Sequence, residues 1–121
     1  MIKISNPNLA FKFPAKNRIL KSSDYTDVMK FADKTLYSKT CVCFAKINLL
    51  GTPRLGLAIP KKRIKKAVER NRIKRIYREA FRLKKRDFQS FDIVLMSNGI
   101  TAKMDNKQIF LLVNQLLKGL E

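Results

Sequence analysis

RLGLAIPKKRIKKAVERNRIKRIYREAFRLK, Arg54 to Lys84, changes its apolar period midway, and that change decides the fold. Arg54 to Pro60 is apolar, short and closed by proline, the pattern of a strand, whereas Ala67 to about Lys84 repeats at helical spacing. With residues 100° apart, Ile73, Ile76, Ala80 and Leu83 share one side with Tyr77 at its edge, while Asn71, Arg75, Arg78 and Arg82 gather on the other. A strand therefore feeds a helix with one packing face and one cationic face. From Lys61 to Arg86 there are 14 basic residues against Glu69 and Glu79, so +12 of the formal +18 lies in 26 positions. A helix charged only for solubility mixes both signs to gain i,i+4 pairs, whereas Arg78 and Arg82 repel each other. Lys65 and Lys66 fall where the helix dipole is already positive, a penalty of about 0.3–1 kcal/mol each that a phosphate would reverse. Backbone amides, these lysines and the fork of Arg70 make the helix start a candidate phosphate site.

Upstream, Thr40 to Leu49 (TCVCFAKINL) reads as another strand, and Leu50, Gly51, Thr52 and Pro53 join it to Arg54–Pro60 as a predicted hairpin. Ser22, Ser23 and Asp24 signal a helix start, with Tyr25, Val28, Met29 and Ala32 on one face of a short first helix. The segment before it holds Pro7 and Pro14 and no sustained period, so residues 1–16 are expected to be largely irregular. Downstream, Asp92 to Ser97 (DIVLMS) has the continuous apolar run of a buried strand. Asp105 and Gln108 form a capping box ahead of Ile109, Leu112, Val113, Leu116, Leu117 and Leu120, one stripe of a last helix. The order is helix, two or three strands, helix, strand, helix. That predicts an α+β domain spanning 1–121, a small sheet packed with helices on one face and open on the other beside the basic helix.

The 121 residues are 45% apolar, with 8 Phe and 3 Tyr, enough to bury a core, while the +18 charge calls for a polyanion. The sequence contains no His, which removes the commonest general base and zinc ligand, so neither a catalytic nor a metal-binding residue is expected. Cys41 and Cys43 alternate along a strand and read as core rather than disulfide or ligands, and a reducing cytoplasm fits them. No secretory signal and no apolar run near the roughly 20 residues of a bilayer span is visible, so a membrane partner is not expected. A basic helix flanked by strands does not suit helix-turn-helix insertion into DNA. A sheet face with aromatics beside it suits RNA, where bases stack and the backbone is tracked by charge. Tyr25, Met29 and Phe44 are candidates for that face or for the core. Asn71 is a candidate for RNA contact or for capping the helix start.

At Lys61, Lys62 and ERNRIKRIYREAFR (Glu69 to Arg82) the sequence resembles the bacterial ribonuclease P protein family, whose Arg-Asn-Arg run opens a basic helix. The resemblance extends through RLGLAIPKK, NRILKSSDYTDVM (Asn17 to Met29), the strand at Asp92–Ser97 and the last helix, roughly the whole chain after Asn17. It implies an α-β sandwich of order α-β-β(-β)-α-β-α, like the second domain of ribosomal protein S5, with a left-handed βαβ crossover through the basic helix. It implies a subunit of the endoribonuclease that removes the 5′ leader of precursor tRNA. In that holoenzyme a catalytic RNA with Mg2+, held mainly by RNA, does the chemistry, and no further protein partner is obligatory. Lys61, Lys62, Lys65, Lys66, Arg70, Asn71, Arg72, Lys74, Arg75, Arg78 and Arg82 would then face RNA. Tyr25, Met29, Phe44 and Ala58 would line a cleft for the single-stranded leader. Met29 stands where many members carry an aromatic residue, and the link RIKKA (Arg63 to Ala67) lacks the glycine of one branch. The residues alone also allow a non-catalytic RNA-binding module of ribosomal or chaperone type.

Overall fold

The structure, a computed structural model, describes residues 17–19, 21–84 and 90–121. Helix α1 (Ser22–Lys30) leads into strands β1 (Lys34–Tyr37), β2 (Cys41–Ile47) and β3 (Arg54–Ala58). Helix α2 (Ala67–Lys84), strand β4 (Phe91–Ser97), a 3₁₀ segment (Gly99–Lys103) and helix α3 (Asn106–Lys118) follow. This is the expected α+β order with the third strand present. Of the charged run, residues 85 and 86 lie outside the described residues, as do residues 1–16, for which irregular structure is expected.

The strands form one sheet in the order β1-β2-β4-β3. β1 and β2 make a hairpin whose turn is held by Ser38, its Oγ accepting from the amide of Cys41 at 3.1 Å. β4 runs antiparallel to β2 and parallel to β3, so Leu95 lies between Cys43 and Leu57. The hairpin predicted between Thr40–Leu49 and Arg54–Pro60 is thus corrected: β2 and β3 are not neighbours, because β4 separates them. The reason is burial. Six of the seven β4 residues are buried, on both faces, and such a strand belongs at the centre of a sheet. The Asn48–Pro53 link spans the width of that strand instead of closing a tight turn. Gly51 takes φ 77° within it, and Asn48 donates to the carbonyl of Thr52 at 3.2 Å.

Alternation sends Cys41, Cys43, Ala45, Ile93 and Leu95 to one face, under α2 and α3, and Phe44, Ala58 and Val94 to the other, where α1 docks through Val28. The expectation of helices on one face alone is corrected accordingly. The stripe on α1 ends at Lys30, short of Ala32, and covers only part of its face. Cys41 and Cys43 are free thiols in the main core, and burial pushes Cys41 up to about 12. No described helix is long and apolar enough to cross a membrane.

On α2, Ile73, Ile76 and Ala80 pack as expected, but Tyr77 and Phe81 are buried at its centre and Leu83 is 52% exposed. The apolar arc is therefore rotated away from Leu83 and toward Tyr77. A buried phenol needs a partner, and Tyr77 has one. Its Oη donates to Ser97 Oγ at 3.2 Å, Ser97 to Thr101 Oγ1 at 2.7 Å, and Thr101 to the carbonyl of Thr40 at 2.9 Å. This relay ties α2, β4, the 3₁₀ segment and the hairpin turn together. The capping box of α3 forms as read, Asp105 accepting from the Gln108 amide at 2.8 Å while Gln108 Oε1 accepts from the Asp105 amide at 3.1 Å.

At the start of β4, Asp92 accepts a bidentate fork from Arg54 of β3 at 2.8 and 2.6 Å and a third bond from Asn48 at 2.7 Å. Burial alone raises its pKa, but the bonds from Arg54 and Asn48 reverse the sign and hold it below the ordinary carboxylate value. A folded value below the unfolded one contributes stability above about pH 4, and that contribution is lost as pH falls through the folded value. Asp92→Asn is expected to cost about 1.5 kcal/mol at neutral pH. Urea midpoints taken down to pH 3 check this, the gap between variant and parent closing on the acid side.

Candidate nucleic-acid interface

The link between β3 and α2 carries Lys61, Lys62, Lys65 and Lys66, all exposed, and α2 continues the ridge with exposed Asn71, Arg75 and Arg78 and half-buried Lys74 and Arg82. The cations thus run from the link along α2, Lys74 and Arg78 on the side of α1 and Arg75 on the side of α3. Asn71 makes no side-chain hydrogen bond among the described residues and points outward from the helix, so the capping alternative is not what the structure displays. Arg78 senses the concentration of charge most directly. Burial, then the neighbouring charge of Arg18, lower its pKa; Tyr25 opposes them, and Arg82 adds a lesser push in the same downward direction. A guanidinium stays charged regardless, so the local positive potential is available to an anion.

Arg70 and Arg72 are occupied differently. Arg70 turns back along the link, its Nη1 donating to the carbonyls of Ile64 at 2.9 Å and Lys65 at 2.7 Å, which fixes the lysine-bearing loop on the helix. Arg72 directs all five N–H donors inward. Nε and Nη2 donate to Glu69 at 3.3 and 2.7 Å. Nη1 donates to the Met104 carbonyl at 3.1 Å and Asn106 Oδ1 at 2.7 Å, and Nη2 also to the Ala102 carbonyl at 3.2 Å. Arg72 thus clasps α2 to the 3₁₀ segment and α3. Of the cations assigned to RNA from sequence, Arg72 is the one with no donor left over.

The four cleft candidates come together. Tyr25 and Met29 on α1, Phe44 on β2 and Ala58 on β3 pack, each partly exposed, around the buried cluster of Ile19, Val28 and Val94. They form a shallow apolar floor on the face opposite the main core. Tyr25 lies flat against β3 because residue 56 is glycine: a Cβ there would sit 2.6 Å from Tyr25 Cε1. Its Oη accepts from the Leu57 amide at 3.2 Å, leaving its own O–H to donate. Lys46 pairs with Asp27 at 2.9 Å and fastens α1 to β2 at the far end.

Several contributors were not singled out from sequence. Asn17, 1% exposed, donates to Thr52 Oγ1 at 3.0 Å and to the Pro53 carbonyl at 2.8 Å, and the Ile19 amide donates to the Leu55 carbonyl at 3.0 Å. These bonds lay residues 17–19 along the edge of β3. Arg18 is thereby brought beside Lys74 and Arg78 of α2, and with Tyr25, Leu55 and Leu57 they line a pocket of about 140 Å³ joining the apolar floor to the cationic ridge. The Asn17–Arg18 pair preceding a helix cap was the available signal, but only the partners on β3 give it meaning.

A sequence model of the family described as Ribonuclease P matches residues 13–121. The chain is 33% identical over 109 residues to the ribonuclease P protein component of Chromohalobacter salexigens, covering 90% of this chain and 85% of that one. It is 38% identical over 104 residues to that of Photobacterium profundum, covering 86% and 87%. Among solved structures, the RNase P protein of Staphylococcus aureus superposes with a TM-score of 0.79 at 29% identity over 84% of this chain and 93% of that one. That of Thermotoga maritima gives 0.75 at 28% identity over 86% and 97%. Sequence and fold agree, and the chain belongs to the ribonuclease P protein family.

Proposed function

We propose that this ribonuclease P protein works through two adjoining surfaces, the cationic ridge of α2 and its preceding link for the catalytic RNA, and the floor around Tyr25 for the leader of precursor tRNA. The observation that carries the reading is their junction, where Arg18, Lys74 and Arg78 stand beside Tyr25. A strand lying over Tyr25, Met29, Phe44 and Ala58 has its bases on apolar side chains and its phosphates on cations, the two requirements of single-strand binding. Among the described residues no three His, Cys, Asp or Glu side chains are grouped so as to hold a metal ion. In this proposal the magnesium that hydrolysis requires is held by RNA, and the protein neutralises phosphates and positions the leader.

Reconstitution tests this. Added to a bacterial ribonuclease P RNA at low magnesium, the protein is expected to restore leader removal from precursor tRNA. Unchanged cleavage would leave only a non-catalytic RNA-binding module. Within that assay, Arg75→Ala and Arg78→Ala are each expected to reduce the slope of log K against log salt by about one, with thermal stability preserved. Salt titrations of RNA binding measure the slopes directly.

A further inference from the structure

Glu79 is out of place on a surface that binds phosphate. Every other described carboxylate side chain has a hydrogen bond or ion pair within the protein, whereas Glu79 has none among the described residues. Arg75 stands four residues before it, the spacing of a helix pair, yet the two do not close. Glu79 instead borders a groove of about 410 Å³ between α2 and α3, together with Arg75, Ile76, Asn106, Lys107 and Phe110. That volume is in the range of small-ligand sites, about 300–1,000 Å³.

The groove's chemistry is that of a base pocket. Phe110 is a partly exposed ring for stacking, and Arg75 and Lys107 are exposed cations for an adjoining phosphate. Asn106 has a fixed amide, because its Oδ1 accepts from Arg72 at 2.7 Å, which leaves its NH2 as the donor. An unpaired carboxylate offers only acceptors. Guanine is the base whose Watson–Crick edge presents two adjacent donors, N1–H and N2–H, beside an acceptor, O6; adenine presents an acceptor at N1 where the carboxylate would meet it. Unpaired RNA bases are recognised by this combination of stacking and edge hydrogen bonds.

We propose that the α2–α3 groove holds an unstacked guanine of the catalytic RNA, with Glu79 accepting from N1–H and N2–H, Asn106 donating to O6 and Phe110 against the ring. This rests on the subunit reading above. The catalytic RNA, not the leader, is the source because the groove opens beside the ridge of α2, whereas the Tyr25 floor lies on the opposite face of the sheet.

The sign of one substitution tests it. Removing a negative charge from a cationic ridge strengthens RNA binding by electrostatics alone. The guanine site predicts the opposite: Glu79→Gln weakens binding of the full chain to a bacterial ribonuclease P RNA about tenfold, and Phe110→Leu does likewise. The thermal melt of Glu79→Gln is expected to match the parent, whereas Phe110→Leu also loses packing against the main core and is expected to melt a few degrees lower. A second measurement uses inosine, which lacks the N2 amino group. Inosine interference is expected at one unpaired guanine with the parent protein and to vanish there with Glu79→Gln. Equal or tighter binding by Glu79→Gln, or no inosine position that depends on Glu79, overturns the inference alone. Failure of the parent protein to bind the RNA overturns the subunit reading and this inference with it.

Discussion

Arg72→Ala is expected to lower the stability of the free protein by about 3 kcal/mol and its melting temperature by about 10 °C, before any RNA is added. The side chain makes five hydrogen bonds, to Glu69, Ala102, Met104 and Asn106, and its removal strips partners from two carbonyls and a carboxylate at the junction of α2, the 3₁₀ segment and α3. Groups left without partners cost more than the net value of the bonds they lose. Arg72→Lys replaces a planar five-donor fork with one ammonium and is expected to recover less than half of the loss. Differential scanning calorimetry of the free protein decides the matter. A melting temperature within 2 °C of the parent, together with a salt slope smaller by about one, would return Arg72 to the phosphate-binding set.

Gly56→Ala is expected to weaken binding of precursor tRNA to the holoenzyme about tenfold while leaving mature tRNA unchanged, and Tyr25→Ala is expected to do the same. A Cβ at residue 56 would stand 2.6 and 2.7 Å from Cε1 and Cζ of Tyr25, so the ring must lift from β3 and give up the bond from the Leu57 amide. The lost term is the stacking surface, worth about 1–3 kcal/mol per base. Agreement between the two variants is the informative result, since one removes the ring and the other only displaces it. Equal losses for precursor and mature tRNA would mean that both act through the packing of α1 on Val94, and not through a leader. Titrations with the two RNAs, run at one salt concentration, distinguish these outcomes.

Local features proved legible and long-range ones did not. Asp105 and Gln108 declare the start of α3 within four residues, and the stripe from Ile109 to Leu120 follows from spacing alone. Of the cleft set, Tyr25, Met29 and Phe44 were candidates from the residues and Ala58 came from family resemblance, and all four pack on one apolar cluster. Strand order was beyond reach, because two apolar segments joined by a link holding Gly51 and Pro53 look like a hairpin until a more deeply apolar strand beyond α2 displaces one from the other. Tyr77 was misplaced for a related reason. Its burial depends on Ser97 and Thr101, and a helical wheel sees neither. For Arg72, the pairing with Glu69 was visible at i,i+3, but the carbonyls it reaches on the 3₁₀ segment were not.

The central position of β4 also governs how the chain assembles. Until Phe91–Ser97 exists, β3 has only residues 17–19 along its edge, and β1–β2 is the one pair of strands that can form. On a ribosome, the first 90 residues would therefore emerge carrying nearly all the cationic charge of the ridge without the sheet that supports it. Closure of the sheet awaits a segment made after the ridge it supports.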